Sequence, residues 1–101
     1  MMADLQPAVF TLDVGGKAIL TFEAKNLREA WEICHEHWLH EDLARLSSNA
    51  TPLWNGKAAL RSRYATEAET AHYREAALDA KQTPGDLVLA YLIELDGVEQ
   101  V

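Results

Sequence analysis

The sequence predicts one α+β domain in the order β-β-α-(short α)-β-α-β, with a four-stranded mixed sheet and helices packed on one face. Three observations carry that expectation. Two short apolar segments flank Gly15-Gly16, the mark of a hairpin. Asn26 and Thr66 each precede a Glu by three residues, the mark of a capped helix start. Two later segments read as strands, one alternating and one apolar on both faces. At 101 residues the chain has enough material for one core and too little for two. Residues 1–101 are therefore read as a single domain, with 1–7 and 97–101 as loose termini.

The first two strands are Val9 to Val14 and Ala18 to Glu23. A two-residue Gly-Gly turn sets Phe10 opposite Thr21 and Leu12 opposite Ile19. A three-residue loop, Gly15-Gly16-Lys17, pairs Phe10 with Phe22, Leu12 with Leu20 and Val14 with Ala18. That loop gathers every large apolar residue except Val9 and Ile19 on one face. A one-residue slip exchanges the faces, so burial selects the three-residue loop and pairs Thr11 with Thr21 on the outer face.

Asn26 to Leu46 (NLREAWEICHEHWLHEDLARL) holds two of the three Trp, the only Cys and three of the four His. At helical spacing Leu27, Trp31, Cys34 and Trp38 form a narrow stripe with Ala30 beside it, the expected spine of the core. Past Trp38 that stripe meets Glu41 and Arg45, while Leu39, Leu43 and Leu46 lie well around the helix. The phase change predicts a long helix ending near Trp38 and a short one to about Leu46.

Ser47 to Pro52 reads as loop and Asn55-Gly56 as a tight turn. Ala58 to Tyr64 alternates, with Ala58, Leu60, Ser62 and Tyr64 on one face and Ala59, Arg61 and Arg63 on the other. Thr66 opens a helix from about Glu67 to Ala80, with a small-sided inner face of Tyr73, Ala76 and Ala80. Pro84-Gly85 makes a turn. Leu87 to Leu95 (LVLAYLIEL) is apolar on both faces and reads as a central strand. The opening hairpin and helix resemble the start of a β-grasp (ubiquitin-like) fold, a likeness of element order alone.

Charge and composition exclude several function classes. A net charge of -7 argues against broad charge-driven binding to nucleic acid or an anionic membrane. No apolar run reaches the length of a membrane span, and the N-terminus lacks a secretory signal's basic and apolar regions. One Cys makes no internal disulfide, which fits the cytoplasm. There is no Gly-rich phosphate loop, no G-x-S-x-G and no paired-carboxylate constellation. No cofactor is expected, and the chain is read as no enzyme.

Two clusters remain. His37, His40 and Glu41 stand at helical i, i+3 and i, i+4 spacing, which can put metal ligands on one face. Cys34 lies in the apolar stripe and His35 flanks it on the side away from His37, so neither is expected to join His40. Cys34 itself should be an inert buried thiol. The second cluster is basic. Between Asp42 and Glu67 there is no acidic residue, and the window holds Arg45, Lys57, Arg61 and Arg63. Lys57, Arg61 and Arg63 share a strand face, with Trp54 just before the turn. Such a face can take a carboxylate, a phosphate or an acidic protein segment, or it can be a charged edge strand.

The runs FEAKNLREAWEICHEHWL and PLWNGKAALRSRYATEAE resemble a family of small uncharacterised alphaproteobacterial proteins. The resemblance implies a small single-domain α+β cytoplasmic protein and carries no catalytic residues. From the residues themselves, the expected function is a binding module for a protein partner or for self-association, through Trp54, Lys57, Arg61 and Arg63. The alternative is a small-ligand or metal-binding protein using His37, His40 and Glu41.

Overall fold

The computed structural model describes residues 7–80 and 88–96. The expectations for residues 1–6, the Pro84-Gly85 turn, Leu87 and residues 97–101 fall outside it. Strands β1 (Ala8–Val14) and β2 (Lys17–Ala24) form a hairpin. Helices α1 (Leu27–Cys34) and α2 (His37–Arg45) follow, then a two-stranded ribbon of β3 (Ser47–Ser48) and β4 (Thr51–Pro52). Strand β5 (Leu60–Tyr64), helix α3 (Glu67–Ala80) and strand β6 (Ala90–Tyr91) complete the described chain. The main sheet runs β5-β1-β2-β6. All three of its pairings are antiparallel, so the sheet is antiparallel and not mixed.

The hairpin uses both expected registers. Beyond the turn Phe10 faces Phe22, Thr11 faces Thr21 and Leu12 faces Leu20, as a three-residue loop requires. Next to the turn Val14 faces Lys17 and Asp13 faces Ala18, as a two-residue turn requires. A bulge at Ile19 reconciles the two. Gly15 and Gly16 take φ of 59° and 87°, the pair of positive angles a type I′ turn needs. Because of the bulge, Ile19 and Leu20 pack into one core although adjacent in sequence.

The larger core lies between one sheet face and the α1–α2 pair. Phe10, Leu12, Leu20 and Phe22 meet Ala30, Cys34, Leu39, Leu43 and Leu53 there. The Phe10 and Phe22 rings are 6.3 Å apart. The opposite face is also covered. Val9 and Ala90 pack with Tyr73, Ala76 and Ala77 of α3, and Thr11 and Thr21 are fully buried beneath that helix layer. Helices therefore lie on both faces, not one. Thr11 and Thr21 do pair, but in the interior. Their hydroxyls are satisfied, Thr11 donating to Glu69 at 2.8 Å and Thr21 to the Ala90 carbonyl at 3.1 Å.

The same geometry corrects the reading of residues 88–95. Val88 and Ala90 pack in the α3 core, while Leu89, Tyr91, Ile93 and Leu95 pack in the larger one. The segment is apolar on both sides because both faces of the sheet are covered. Its ladder with β2 covers Ala90–Tyr91, and among the described residues it forms an edge of the sheet, not a central strand.

The helix break falls at His35-Glu36, four residues before the expected position. The Asn26 cap forms as read, with the Glu29 N–H donating to its side chain at 2.9 Å. The returning Glu29 carboxylate accepts from the Lys25 N–H at 2.7 Å. Helix α1 buries Ala30 and Cys34, and their small side chains let it lie close to the sheet. Leu27, Trp31 and Trp38 are exposed, so the stripe drawn through them is not the core spine. By contrast α3 begins with a complete capping box. The Thr66 N–H donates to Glu69 at 2.9 Å, and the Glu69 N–H donates to the Thr66 hydroxyl at 3.2 Å.

Ser47 to Pro52, read as loop, is a tight ribbon whose turn residues Asn49 and Ala50 have φ of 53° and 64°. Left-handed backbone is unfavourable for Ala. The Asp96 carboxylate holds it by accepting from the Asn49 N–H at 2.9 Å and the Ala50 N–H at 2.5 Å. Those bonds pull the Asp96 acid below its usual range, the Ala50 bond most. Replacing Ala50 with Gly removes the left-handed penalty. Chemical denaturation should show Ala50→Gly stabilised by about 1 kcal/mol; a destabilised variant would show that the turn is not strained.

Candidate functional site

Three surfaces answer to the residues singled out above. The first is the junction of α1 and α2. Helix α1 ends with its last carbonyls unpaired by the helix itself. Two imidazoles satisfy two of them. His35 Nδ1–H donates to the Trp31 carbonyl at 2.8 Å, and His40 Nε2–H donates to the Cys34 carbonyl at 2.9 Å. The break between the helices is what lets His40 fold back, and it brings His35 and His40 to a ring separation of 6.0 Å. The expectation that His35 and His40 stay apart took His35 to face away from His37 on a helix running to Trp38, and it does not hold.

The aromatic rings around that cap form a continuous series. Trp31 stacks on His35 at 4.2 Å, His35 meets His40 edge-on, and His40 lies 4.8 Å from Trp54. Trp54 is half-buried, its Nε1–H donating to the Ala58 carbonyl at 2.9 Å. Trp31 is 56% exposed, and Trp38, in the first turn of α2, is 41% exposed. Sequence reasoning missed both as surface residues, because a stripe analysis assigns the largest apolar side chains to the core.

His37, by contrast, meets the Glu41 carboxylate at 3.0 Å, both side chains being exposed. The three residues of the proposed metal cluster thus divide between two tasks, His40 on a helix carbonyl and His37 on Glu41. Among the described residues no group of three His, Cys, Asp or Glu side chains is placed to hold a metal ion. The Cys34 thiol is buried, and loss of hydration pushes its pKa up to about 12 against a smaller opposing effect of its hydrogen bond with Ser62. It stays protonated at neutral pH and is a poor nucleophile.

The basic face of β5 is the second surface. Within β5 the alternation is as read, Leu60 packing toward the larger core and Arg61 and Arg63 standing opposite Asp13 and Thr11. But the strand begins at Leu60, and Lys57 lies in the turn before it, not on its face. Lys57 and Arg61 are exposed, and neither makes an ion pair among the described residues. Arg63 belongs to the fold. Its Nε donates to Asp13 at 2.9 Å, and its two terminal nitrogens grip Glu69 at 3.0 and 3.1 Å. A bidentate pair of that kind is directional and strong for its exposure. Arg63 is therefore removed from the binding patch, and the four-residue patch reduces to Lys57 and Arg61, with Trp54 on the core. The signal for this was present in the sequence. Arg63 shares a strand face with the position that meets Asp13, and Glu69 is the third residue of the helix that follows.

The third surface is the α3 face. Tyr73 is buried there and Leu78 exposed. His72 Nε2–H donates to the Tyr91 carbonyl at 2.9 Å, which ties α3 to β6.

The Arg63 guanidinium, with help from the Thr66 N–H and Thr11 hydroxyl, lowers the Glu69 pKa from 4.5 to about 2. The folded value lies below the unfolded one, so this stabilisation is complete above pH 4.5 and is lost as pH falls toward 2. Urea denaturation across that interval should show wild-type stability falling. Glu69→Gln should be less stable by about 1–2 kcal/mol at neutral pH and should lose part of that acid dependence. Equal slopes for the two proteins would contradict the assignment.

The chain matches no protein-family model, and no curated protein or solved structure shows significant similarity to it.

Proposed function

We propose that the chain is a small cytoplasmic binding module that catalyses no reaction and recognises a protein partner through the α1–α2 junction. One observation carries this reading: Trp31 and Trp38 stand 56% and 41% exposed on helices that bury only small residues and Leu. Large aromatic side chains held outside a core dominate the energetics of protein recognition. Trp31 is also fixed in place. Its ring stacks on His35, and His35 is anchored to the Trp31 carbonyl, so little side-chain freedom remains to be lost on binding. Arg28, Glu32, Glu36 and Glu41 on the same two helices and their junction are exposed charges, of the kind that rims a recognition surface.

The lone buried thiol supports a reducing compartment. The inert state of Cys34 supports a binding role over a thiol-based one.

The test is affinity capture followed by titration of each captured protein against purified chain. Trp31→Ala/Trp38→Ala removes side chains that lie outside the buried core, so the variant should fold to the native state, with a circular dichroism spectrum like that of wild type. Its affinity for the partner should fall at least about tenfold. Unchanged affinity in the folded double variant would rule out the junction as the recognition surface.

A further inference from the structure

Strand β5 ends the main sheet, with β1 on one side and no described strand on the other. Its hydrogen-bonding direction is set by two flanking bonds. The Ala65 N–H donates to the Val9 carbonyl at 3.0 Å, and the Gly15 N–H donates to the Ala59 carbonyl at 2.9 Å. With Thr11 opposite Arg63 and Asp13 opposite Arg61, the odd-numbered residues of the strand bond to β1. The backbone groups of Leu60, Ser62 and Tyr64 consequently face the open side. Arg63 Nη1 reaches the Tyr64 carbonyl at 3.2 Å. The other outward groups have no strand to meet, and an unpaired row of this kind is a template for another strand.

The segment is self-complementary about Ser62. An antiparallel second copy centred there sets Ser62 against Ser62, Leu60 against Tyr64, and Arg61 against Arg63. The apolar pair would cover Tyr64, which is 60% exposed although its ring lies 4.6 Å from Phe10. Arg61 opposite Arg63 would repel if Arg63 were a bare cation. It is not: one guanidinium is held by two carboxylates, Asp13 and Glu69, so that site keeps a surplus negative charge. The exposed Arg61 of each copy meets the excess anion of the other. A chain of net charge -7 resists self-association in general, and this is a place where the local charges oppose that tendency.

We propose that the chain forms a two-fold dimer by pairing β5 with β5 of a second copy, joining two four-stranded sheets into one. The pairing uses the backbone of β5 and neither Trp31 nor Trp38, and does not depend on the partner reading above.

Sedimentation equilibrium of the full chain, from micromolar to millimolar concentration, tests it. The wild type should move from the monomer mass of 11.3 kDa to twice that mass. Ser62→Pro deletes an outward N–H without touching the β1 ladder and should remain monomeric. Tyr64→Lys and Arg61→Glu should each raise the dissociation constant at least about tenfold while circular dichroism stays native. Those two variants keep the test open where the Pro variant does not fold. Trp31→Ala/Trp38→Ala should dimerise like wild type. A monomer mass at every concentration would overturn the proposal, and so would a dimer insensitive to all three β5 substitutions.

Discussion

The guanidinium of Arg63 sits where β5, β1 and α3 meet, and the second face of the sheet depends on it. Asp13 comes from the central strand, Glu69 from the first turn of α3, and Arg63 from the edge strand. Glu69 also accepts from Thr11 beneath it and from the Thr66 N–H at the helix start. A single carboxylate thus caps a helix, satisfies a buried hydroxyl and pairs a cation. Desolvating such a group is tolerable because all its bonds point the same way. The apolar contribution of this face is small, since Val9, Tyr73 and Ala90 are its buried apolar members among the described residues. The polar cluster fixes where α3 lies, and the small side chains of Ala76 and Ala77 let it lie close.

That division between a large apolar core and a small, polar-anchored one explains which features were legible in the sequence. Local rules worked. Both helix caps form, the second as a complete capping box, α3 has the expected bounds, and Asn55 closes its turn by accepting from the Lys57 and Ala58 N–H groups. Strand alternation placed the β5 side chains correctly. Burial reasoning failed where it assumed one core. Thr11 and Thr21 look like surface residues until a second helix layer covers them. The segment after residue 87 looks like a central strand because its alternate residues feed two cores.

The His-rich stretch shows the same limit at a candidate site. Spacing along an unbroken helix separates His35 from His40 and joins His40 to His37. The break at Glu36, whose backbone is extended at ψ 141°, brings His35 to His40, while His37 and His40 stay on one helix but serve different partners, Glu41 and the Cys34 carbonyl. The phase change of the apolar stripe signals a break but places it four residues late, because its position depends on how Leu39 and Leu43 reach the core after Cys34 has done so. The two Trp were misplaced for a related reason. Ala30 and Cys34 are small, so α1 approaches the sheet too closely to leave room beneath it for an indole. A basic strand read from composition likewise lost Arg63 to the fold, while Lys57 and Arg61 stayed on the surface.

Arg63 holds α3 on the sheet through Asp13 and Glu69. Native-state hydrogen exchange of Arg63→Met, compared with wild type, tests it most directly. Amides of α3 should lose protection by about tenfold or more, as expected when a network of charged hydrogen bonds is cut. Amides of β1 and β2 facing each other should change far less. Equal loss in both places, or none in α3, would contradict the claim.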